Sequence, residues 1–515
     1  MELINTLYGE FNGSWFGERV VSMDYNGDGY EDVIVHAPNW NPNGVYNSMQ
    51  CWGKIYFYWG GPNMDNIPDY VMEGTQNWEL YPAGPYNGGD INGDGIDDLV
   101  TTLPVDPACI IAIYYGKANP TGIPDVTITI PYEVADYIVS SPLGDINGDG
   151  RDDLVIHCPL WSNPSIYRLI IWTGNEDPFV TLLDTTNGSV PRSAMGMGDV
   201  NGDALDDYLL QYGTPGGSNM NSRLVLYYGS TSFPEGDSLV ISENTNAITI
   251  DSANPLGDLN NDGYADFEAY IGKVWFGGTD LSATDDLELD VHNPSYHEWY
   301  GPGRNVGNSF IYGDLNGDGY DDIIGSTYQI GYYRGEVGIW IGGPNMDGLR
   351  DLYLYPPSDY ETRQFGYAKA AGDFNGDGLC DIAVSAPMFY SAPQISTGRV
   401  FIYSGNTSLS DPVVANDDLV EDVRDWDIKV YPNPIRTGNS ILINLEGNSY
   451  KSQKPISIEL YNLKGQQISS LDCCIESTTG NSISMPIPNI ANGLYILKLK
   501  QNNDTTITKR ICILK

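Results

Sequence analysis

Basic residues are scarce in this chain: 25 Lys and Arg stand against 68 Asp and Glu, for a formal net charge of −43. A surface of that sign repels phosphate backbones and anionic lipid, so no nucleic acid and no anionic membrane is expected as a partner. Long helical periodicity is missing as well. The 59 glycines and 32 prolines interrupt the 515 residues too often for long helices and favour short strands and turns. No apolar run approaches the roughly 18 residues of a membrane span. The first residues, MELINTLYGEF, have neither the basic region nor the apolar core of a signal peptide. The seven cysteines (Cys51, Cys109, Cys158, Cys380, Cys473, Cys474 and Cys512) form no CxxC pair and no zinc-like spacing. Being odd in number, with two adjacent, they define no complete disulfide framework. Cys109 and Cys158 lie in apolar runs, as buried thiols do.

What the chain does contain is one phrase written repeatedly. Gly89 to Val100 reads GDINGDGIDDLV, and Gly144 to Val155 reads GDINGDGRDDLV. The pattern D-x-N-x-D-x-x-x-D occurs seven times, beginning at Asp24, Asp90, Asp145, Asp199, Asp258, Asp314 and Asp373. A fixed phrase at a nearly fixed period marks a repeat architecture. Each phrase runs into a β-branched stretch, then an aromatic run closed by glycine, such as FYWG (57–60), LYYG (226–229) or IWIG (339–342). A turn and a further strand follow, as in PDYVMEG (68–74), and the turn phrase GGPNMD stands at both 60–65 and 342–347. About four short strands per unit, repeated around a ring, is the unit of a β-propeller. A linear solenoid would need capping repeats, and none is evident. The last unit reaches its aromatic strand at Gly405, so its outer strand is expected from the N-terminal ELINTLYG, closing the ring with both ends of the unit.

The nine-residue phrase has the chemistry of a calcium loop. Position one is Asp24, Asp90, Asp145, Asp199, Asp258, Asp314 or Asp373, and position three is Asn26, Asn92, Asn147, Asn201, Asn260, Asn316 or Asn375. Position five is Asp28, Asp94, Asp149, Asp203, Asp262, Asp318 or Asp377, and position nine is Asp32, Asp98, Asp153, Asp207, Asp266, Asp322 or Asp381. The backbone carbonyl of position seven (Tyr30, Ile96, Arg151, Leu205, Tyr264, Tyr320, Leu379) adds a further oxygen. Ca²⁺ takes six to eight hard oxygen ligands, with water filling the remainder. Up to seven Ca²⁺ are therefore expected, bringing the formal charge to about −29. An EF-hand also begins D-x-N-x-D-G but needs a bidentate Glu at position twelve. Here position twelve is Val35, Thr101, Ile156, Leu210, Ala269, Gly325 or Val384. The alternative is a run of Asx-turns with solvated carboxylates. The copies differ: Ala204 replaces the position-six glycine in loop four, and Asn261 replaces the position-four glycine in loop five. Asn tolerates left-handed geometry better than Ala, so loop four is expected to be the weakest site if position six needs positive φ.

These units resemble FG-GAP repeats, the blades of the integrin α-subunit propeller and its bacterial relatives. WFGERV (15–20) with HAP (36–38), and QFGYAK (364–369) with SAP (385–387), carry the name-giving segments. The resemblance covers about 400 residues; the middle units keep the loop and lose the FG. It implies a seven-bladed ring with Ca²⁺ loops at its blade hairpins, and there is a further likeness to integrin-like propeller lectins, which bind sugars between blades. From Trp426 the texture changes to alternating strands, as in ILINL and ISIEL, with turns at NP, TGN, KG and NG, which argues a small β-sandwich. VYPNP (430–434), YNLKGQ (461–466), NGLYILKL (492–499) and a basic-apolar end resemble the C-terminal sorting domain of the type IX secretion system. That resemblance implies export across the outer membrane. Such proteins also carry an N-terminal export signal, so the natural start is expected to lie upstream or to have been trimmed.

No catalytic constellation stands out. His36 and His157 share position thirteen of units one and three, where the others carry Thr102, Gln211, Tyr270, Ser326 and Ser385, so a structural polar role is the expected one. His292 and His297 have the wrong spacing for HExxH, and no G-x-S-x-G occurs. Most aromatics fall in the third strands, where they would pack blade against blade. Trp40, Trp52, Trp78, Trp161, Trp299 and Tyr300 lie in loops and are the candidates for sugar contact. The expected chain is all-β: a seven-bladed β-propeller at 1–410, a linker at 411–427, and an immunoglobulin-like β-sandwich sorting domain at 428–515. It is expected to act as a monomeric, secreted or cell-surface calcium-binding module for an extracellular protein or glycan ligand, exported by the type IX machinery. The alternatives are a glycan-processing enzyme on the same scaffold or a propeller lectin.

Overall fold

The computed structural model describes residues 1–11, 13–44, 50–76, 79–80, 84–105, 108–131, 139–159, 167–174, 179–182, 190–213, 222–245, 253–269, 272–291, 310–327, 335–357, 364–388, 397–409, 426–431, 435–436, 440–447, 456–462, 467–473, 482–488, 490, 493–501 and 505–514. The chain divides into two compact units, Met1–Ala415 and Asn416–Lys515.

Among its described residues the first unit shows seven four-stranded antiparallel sheets. Blade one is Arg19–Met23, Asp32–Ala37, Lys54–Tyr58 and Tyr70–Glu73. Blade two is Tyr86–Asn87, Leu99–Val105, Ala108–Tyr114 and Val126–Pro131. Blade three is Val139–Gly144, Asp153–Pro159, Tyr167–Trp172 and Phe179–Leu182. Blade four is Val190–Gly198, Asp207–Gly213, Ser222–Tyr227 and Ser238–Thr245. Blade five is Ala253–Gly257, Asp266–Ala269, Lys273–Trp275 and Leu287–Glu288. Blade six is Ile311–Gly313, Asp322–Thr327, Glu336–Trp340 and Leu352–Leu354. Blade seven is Lys369–Gly372, Asp381–Ala386 and Arg399–Ser404, with Glu2–Tyr8 as its fourth strand. The N-terminal strand pairs antiparallel with Arg399–Ser404, Glu2 opposite Ser404, which is the closure expected from the sequence.

Burial explains the texture of each strand. Asp32–Ala37 and Asp381–Ala386 are buried at every position, because a middle strand of a blade is covered on both faces by its neighbours. Such strands read as continuous apolar runs rather than as alternation. A hydrophobic cluster fills the boundary between each pair of consecutive blades. Tyr56, Tyr58 and Val35 of blade one meet Ala370, Val400 and Ile402 of blade seven, while Phe57 and Ile34 meet Leu99 and Tyr114 of blade two. The same arrangement recurs through the other boundaries. The third-strand aromatics thus pack blade against blade, with Trp172, Trp275 and Trp340 all buried.

Backbone hydrogen bonds stitch the loops to the blades before them. The position-eight N–H of Asp152, Asp206, Ala265, Asp321 and Cys380 donates to the carbonyl of Asp90, Asp145, Asp199, Asp258 and Asp314 in the preceding blade, at 2.9–3.1 Å. The Gly61 N–H donates to the Phe374 carbonyl at 3.0 Å, joining blade one to blade seven. The first strands stand beside one another from blade to blade, including the first strand of blade one beside that of blade seven.

The second unit is also all-β. Trp426–Tyr431, Ser440–Gly447 and Ser482–Pro486 form a three-stranded sheet, with Ser440–Gly447 in the middle. A five-stranded sheet runs in the order Ile435–Arg436, Thr505–Leu514, Gly493–Gln501, Ile456–Asn462, Gln467–Cys473, with its first pair parallel. Ile443, Ile458, Leu460, Met485 and Leu497 are buried within this unit.

Candidate metal loops

Every acidic loop joins the first strand of its blade to the second. Position one holds the turn together. In loop two the Asp90 Oδ1 accepts the N–H of Gly93 at 2.7 Å and of Asp94 at 2.9 Å, while Oδ2 accepts that of Gly95 at 2.7 Å. Asp24, Asp145, Asp199, Asp314 and Asp373 do the same in their loops, and Asp258 holds the N–H groups of Asp262 and Gly263. The curl needs left-handed backbone at positions four and six. Loop four reaches it at Ala204 with φ +67°, and loop five at Asn261 with φ +55°. Position six does require positive φ, the condition attached to a weak loop four.

Position nine fastens the loop to the sheet. Asp32 Oδ2 accepts the Tyr25 N–H at 3.1 Å, and Oδ1 accepts the Gly60 N–H at 2.9 Å, at the glycine that closes the aromatic strand. The same pair of bonds recurs at Asp207, Asp266, Asp322 and Asp381. Asp98 and Asp153 each make one bond of the pair, to the Gly116 N–H and the Ile146 N–H. All seven position-nine aspartates are fully buried. Burial pushes their carboxyls up, to about 7 at Asp98, Asp207, Asp266, Asp322 and Asp381 and about 8 at Asp32 and Asp153, and the carboxylates at positions five and one push the same way. A cation among these groups would reverse that cost.

The remaining positions are tied into the loop by hydrogen bonds. Position five accepts the position-seven N–H, as in Asp94 with Ile96 at 3.0 Å. The position-three amide lies beside carboxylates: Asn26 Nδ2 donates to Asp28 Oδ2 at 3.0 Å and Asn147 Nδ2 to Asp153 at 3.1 Å. Asn92, Asn201, Asn260, Asn316 and Asn375 are similarly engaged. As the side chains are placed, no three carboxylate, imidazole or thiol groups among the described residues stand arranged to hold a metal ion. One atom is out of balance. Asn26 is buried, and its Oδ1 has no hydrogen-bond partner. Rotating that amide would turn an oxygen toward the carboxylates of positions five and nine, so the donor set of loop one fits a hard cation. The position-seven side chain does something else: it covers position four of the preceding loop. A Cβ on Gly376 would lie 2.7 Å from Tyr30 Cε1, and one on Gly148 would lie 2.9 Å from Leu205 Cδ2.

Two recurrent groups escaped the sequence reading. Position eight is acidic in five loops (Glu31, Asp97, Asp152, Asp206, Asp321), and Asp152, Asp206 and Asp321 turn to the neighbouring blade. The aspartate that opens the fourth strand accepts an N–H from the end of the third, as Asp69 does from Trp59 at 2.8 Å and Asp351 from Ile341 at 2.8 Å. Repetition of an acid at a fixed offset was the available signal for both.

His36 is structural. It is buried, its Nε2 lies 2.8 Å from the Leu80 carbonyl and its Nδ1 3.2 Å from Glu18 Oε2. His157 stands in the second strand of blade three, and His292 and His297 lie outside the described residues. Trp40 is corrected as a sugar-contact candidate: it is buried, donates from Nε1 to Glu10 Oε2 at 2.8 Å, and has the Lys54 ammonium 4.9 Å from its ring. Trp52 packs partly buried against the cluster between blades one and seven. Trp78, Trp161, Trp299 and Tyr300 fall outside the described residues. Beside loop four lies an open cleft of about 440 Å³, lined among others by Asn201, Asp203, Tyr228, Ser230, Glu235 and Asp237.

Comparison with known proteins bears on the same residues. The FG-GAP repeat family matches residues 16–48 and 365–403, an FG-GAP-like repeat matches 90–156, and the secretion system C-terminal sorting domain matches 429–514. Integrin alpha-IIb of Mus musculus is 26% identical over 173 residues, 32% of this chain and 17% of that protein. Integrin alpha-6 of Homo sapiens is 30% identical over 112 residues, 22% of this chain and 10% of that protein, so the chain spans less than a fifth of either integrin. The phosphatidylinositol-glycan-specific phospholipase D of Dictyostelium discoideum is 22% identical over 388 residues, 70% of this chain and 34% of that protein. Among solved structures, the extracellular domain of a putative hybrid two-component system from B. thetaiotaomicron aligns with a TM-score of 0.32 at 11% identity, covering 96% of this chain and 72% of that one. The chain therefore carries FG-GAP repeats similar to those of integrin alpha chains, followed by a secretion system C-terminal sorting domain that directs it to the cell surface or the extracellular space.

Proposed function

We propose that the protein is a calcium-stabilised seven-bladed propeller that acts outside the cell as a monomeric binding module for a protein or glycan ligand. The observation that carries the calcium reading is the buried Asn26 Oδ1 without a partner, set in a loop whose other donors are carboxylate and carbonyl oxygens. Asp24, Asn26, Asp28 and Asp32, with the Tyr30 carbonyl, would hold the ion there, and the corresponding residues would do so in the other loops. Mg²⁺ is the poorer fit, because it demands a tighter octahedron and keeps its waters. The likeness to integrin alpha chains supports binding as the role. Tyr228 beside the carboxylates of the cleft at loop four is where a polyhydroxylated ligand is first to be sought, since aromatic faces with a few polar groups are what such sites use.

A second reading, a glycan-processing enzyme on this scaffold, takes its support from the phospholipase D match, which covers 70% of this chain. That match leaves two thirds of the relative unaligned, so it supports the repeats more than the activity. A glycan array with and without Ca²⁺ separates the readings. Retained, calcium-dependent glycan without turnover supports a lectin-like module, and product release supports an enzyme. Silence on both leaves a protein ligand.

A further inference from the structure

Three aspartates outside the expected ligand set share one place. Asp152, Asp206 and Asp321, at position eight of loops three, four and six, turn away from their own loops. Their Oδ2 atoms accept the N–H of the first aspartate of the preceding loop: Asp90 at 2.7 Å, Asp145 at 2.8 Å and Asp258 at 2.9 Å. In return their own N–H groups donate to the carbonyls of those same aspartates at 3.0, 3.1 and 3.1 Å. The first aspartate of a loop is thus gripped at both of its peptide groups by the next blade. The residue before it is Gly89, Gly144 or Gly257, each with left-handed φ, and a Cβ there would overlap the gripping carboxylate. At these three boundaries the glycine before the loop leaves room for the side chain of the next blade. In loop one, which holds the unpartnered Asn26 Oδ1, the Asp24 N–H likewise meets the Asp97 carboxylate.

We infer that the position-eight carboxylate is a positioning residue for the cation loop of the blade before it, so that a calcium-binding unit with such a carboxylate straddles a blade boundary. This rests on the calcium reading above. The gripped aspartate has its own carboxylate aimed by loop N–H groups, three at Asp90 and Asp145 and two at Asp258, so fixing its peptide plane fixes the direction from which the carboxylate would meet the ion. Groups that orient a metal ligand typically change affinity about tenfold or more when removed. Loops four and six are followed by Ala265 and Cys380 and lack the grip.

The test uses the full chain, with Ca²⁺ titrated by calorimetry and melting followed in EGTA. Asp152→Ala is expected to weaken one site roughly tenfold. Although Asp152 belongs to loop three by sequence, its effect should vanish when loop two is already disabled by Asp94→Ala. It should persist in full when loop three is disabled by Asp149→Ala. Asp152→Asn, which keeps an acceptor oxygen, should recover most of the affinity. A loss that vanishes in the Asp149→Ala background instead, or one that adds in both, overturns the inference. So does an unchanged calcium isotherm with a lower melting temperature in every background, which is what a merely structural clasp gives. If neither Asp94→Ala nor Asp149→Ala reduces the calcium bound, the calcium reading itself falls and this inference falls with it.

Discussion

Ala204 stands where six other loops place glycine, at φ +67°, and the equivalent glycines of loops one, two, three, five and seven have open space where a Cβ would be. The cost of alanine there is therefore backbone strain without crowding, of order 1 kcal/mol. Ala204→Gly is expected to tighten calcium at loop four about fivefold by calorimetry; unchanged affinity with a higher melting temperature in EGTA would put the strain on folding instead. The acids at positions one, five and nine were legible in the sequence because identity at a fixed spacing reports a shared job. Which way a side chain turns was not. Asp152 and Asp153 are adjacent in the same phrase, yet one grips the blade before and the other accepts the Ile146 N–H within its own loop, a distinction set by strand pleat and ring geometry. By sequence Trp40 stands in a loop, but its indole is buried against Glu10 and Lys54, which the fold brings to it.

Single blades are held to one another by more than apolar faces. Glu10, just past the N-terminal strand of blade seven, accepts from Lys54 of blade one at 2.6 Å and from Trp40 at 2.8 Å, while Lys54 also pairs with Glu73 at 2.9 Å. Burial pushes the Glu10 carboxyl up, but the Lys54 and Trp40 hydrogen bonds and the Lys54 charge outweigh it and hold it below the usual carboxylate range. A carboxyl lowered in the folded state contributes stability above its unfolded pKa, and that contribution is lost as pH falls through the folded one. Glu10→Gln should therefore lower stability at pH 7 by about 1 kcal/mol or less, because the side chain is half exposed. The difference from the parent should close as melts are taken below about pH 4. A gap that is constant with pH would mean packing, not charge, holds the clasp. The strands themselves were legible where both faces are buried, since each has an apolar centre without alternation, VIV in Asp32–Ala37 and VFIY in Arg399–Ser404. The two-residue strands Tyr86–Asn87 and Leu287–Glu288 carry no such signal, because ring position rather than composition pairs them.

At the scale of the whole chain, seven loops bring three carboxylates each into one ring, and any ion bound only by the native state adds RT ln(1 + [L]/Kd) per site. At ten times Kd that is about 1.4 kcal/mol per loop and roughly 10 kcal/mol over independent loops, comparable to the stability of a domain. Chelation is expected to lower the melting temperature by tens of degrees, and Mg²⁺ to restore little of it; an EGTA-treated protein melting unchanged would remove calcium from the account. The division into units Met1–Ala415 and Asn416–Lys515 leads to a second expectation. Deleting residues 428–515 should leave the propeller melting as before but held in the periplasm on cell fractionation, and a propeller that unfolds on deletion would make the tail structural. The strand that completes blade seven also sets a clock. Glu2 finds its partner only when Ser404 has arrived, so the earliest-made strand of the propeller is among the last to be paired. Contacts so distant in sequence make folding slow, and a blade waiting for its fourth strand shows an open sheet edge in the meantime. The chain thus has a built-in interval during which it is still threadable, and ring closure marks the moment at which that interval ends.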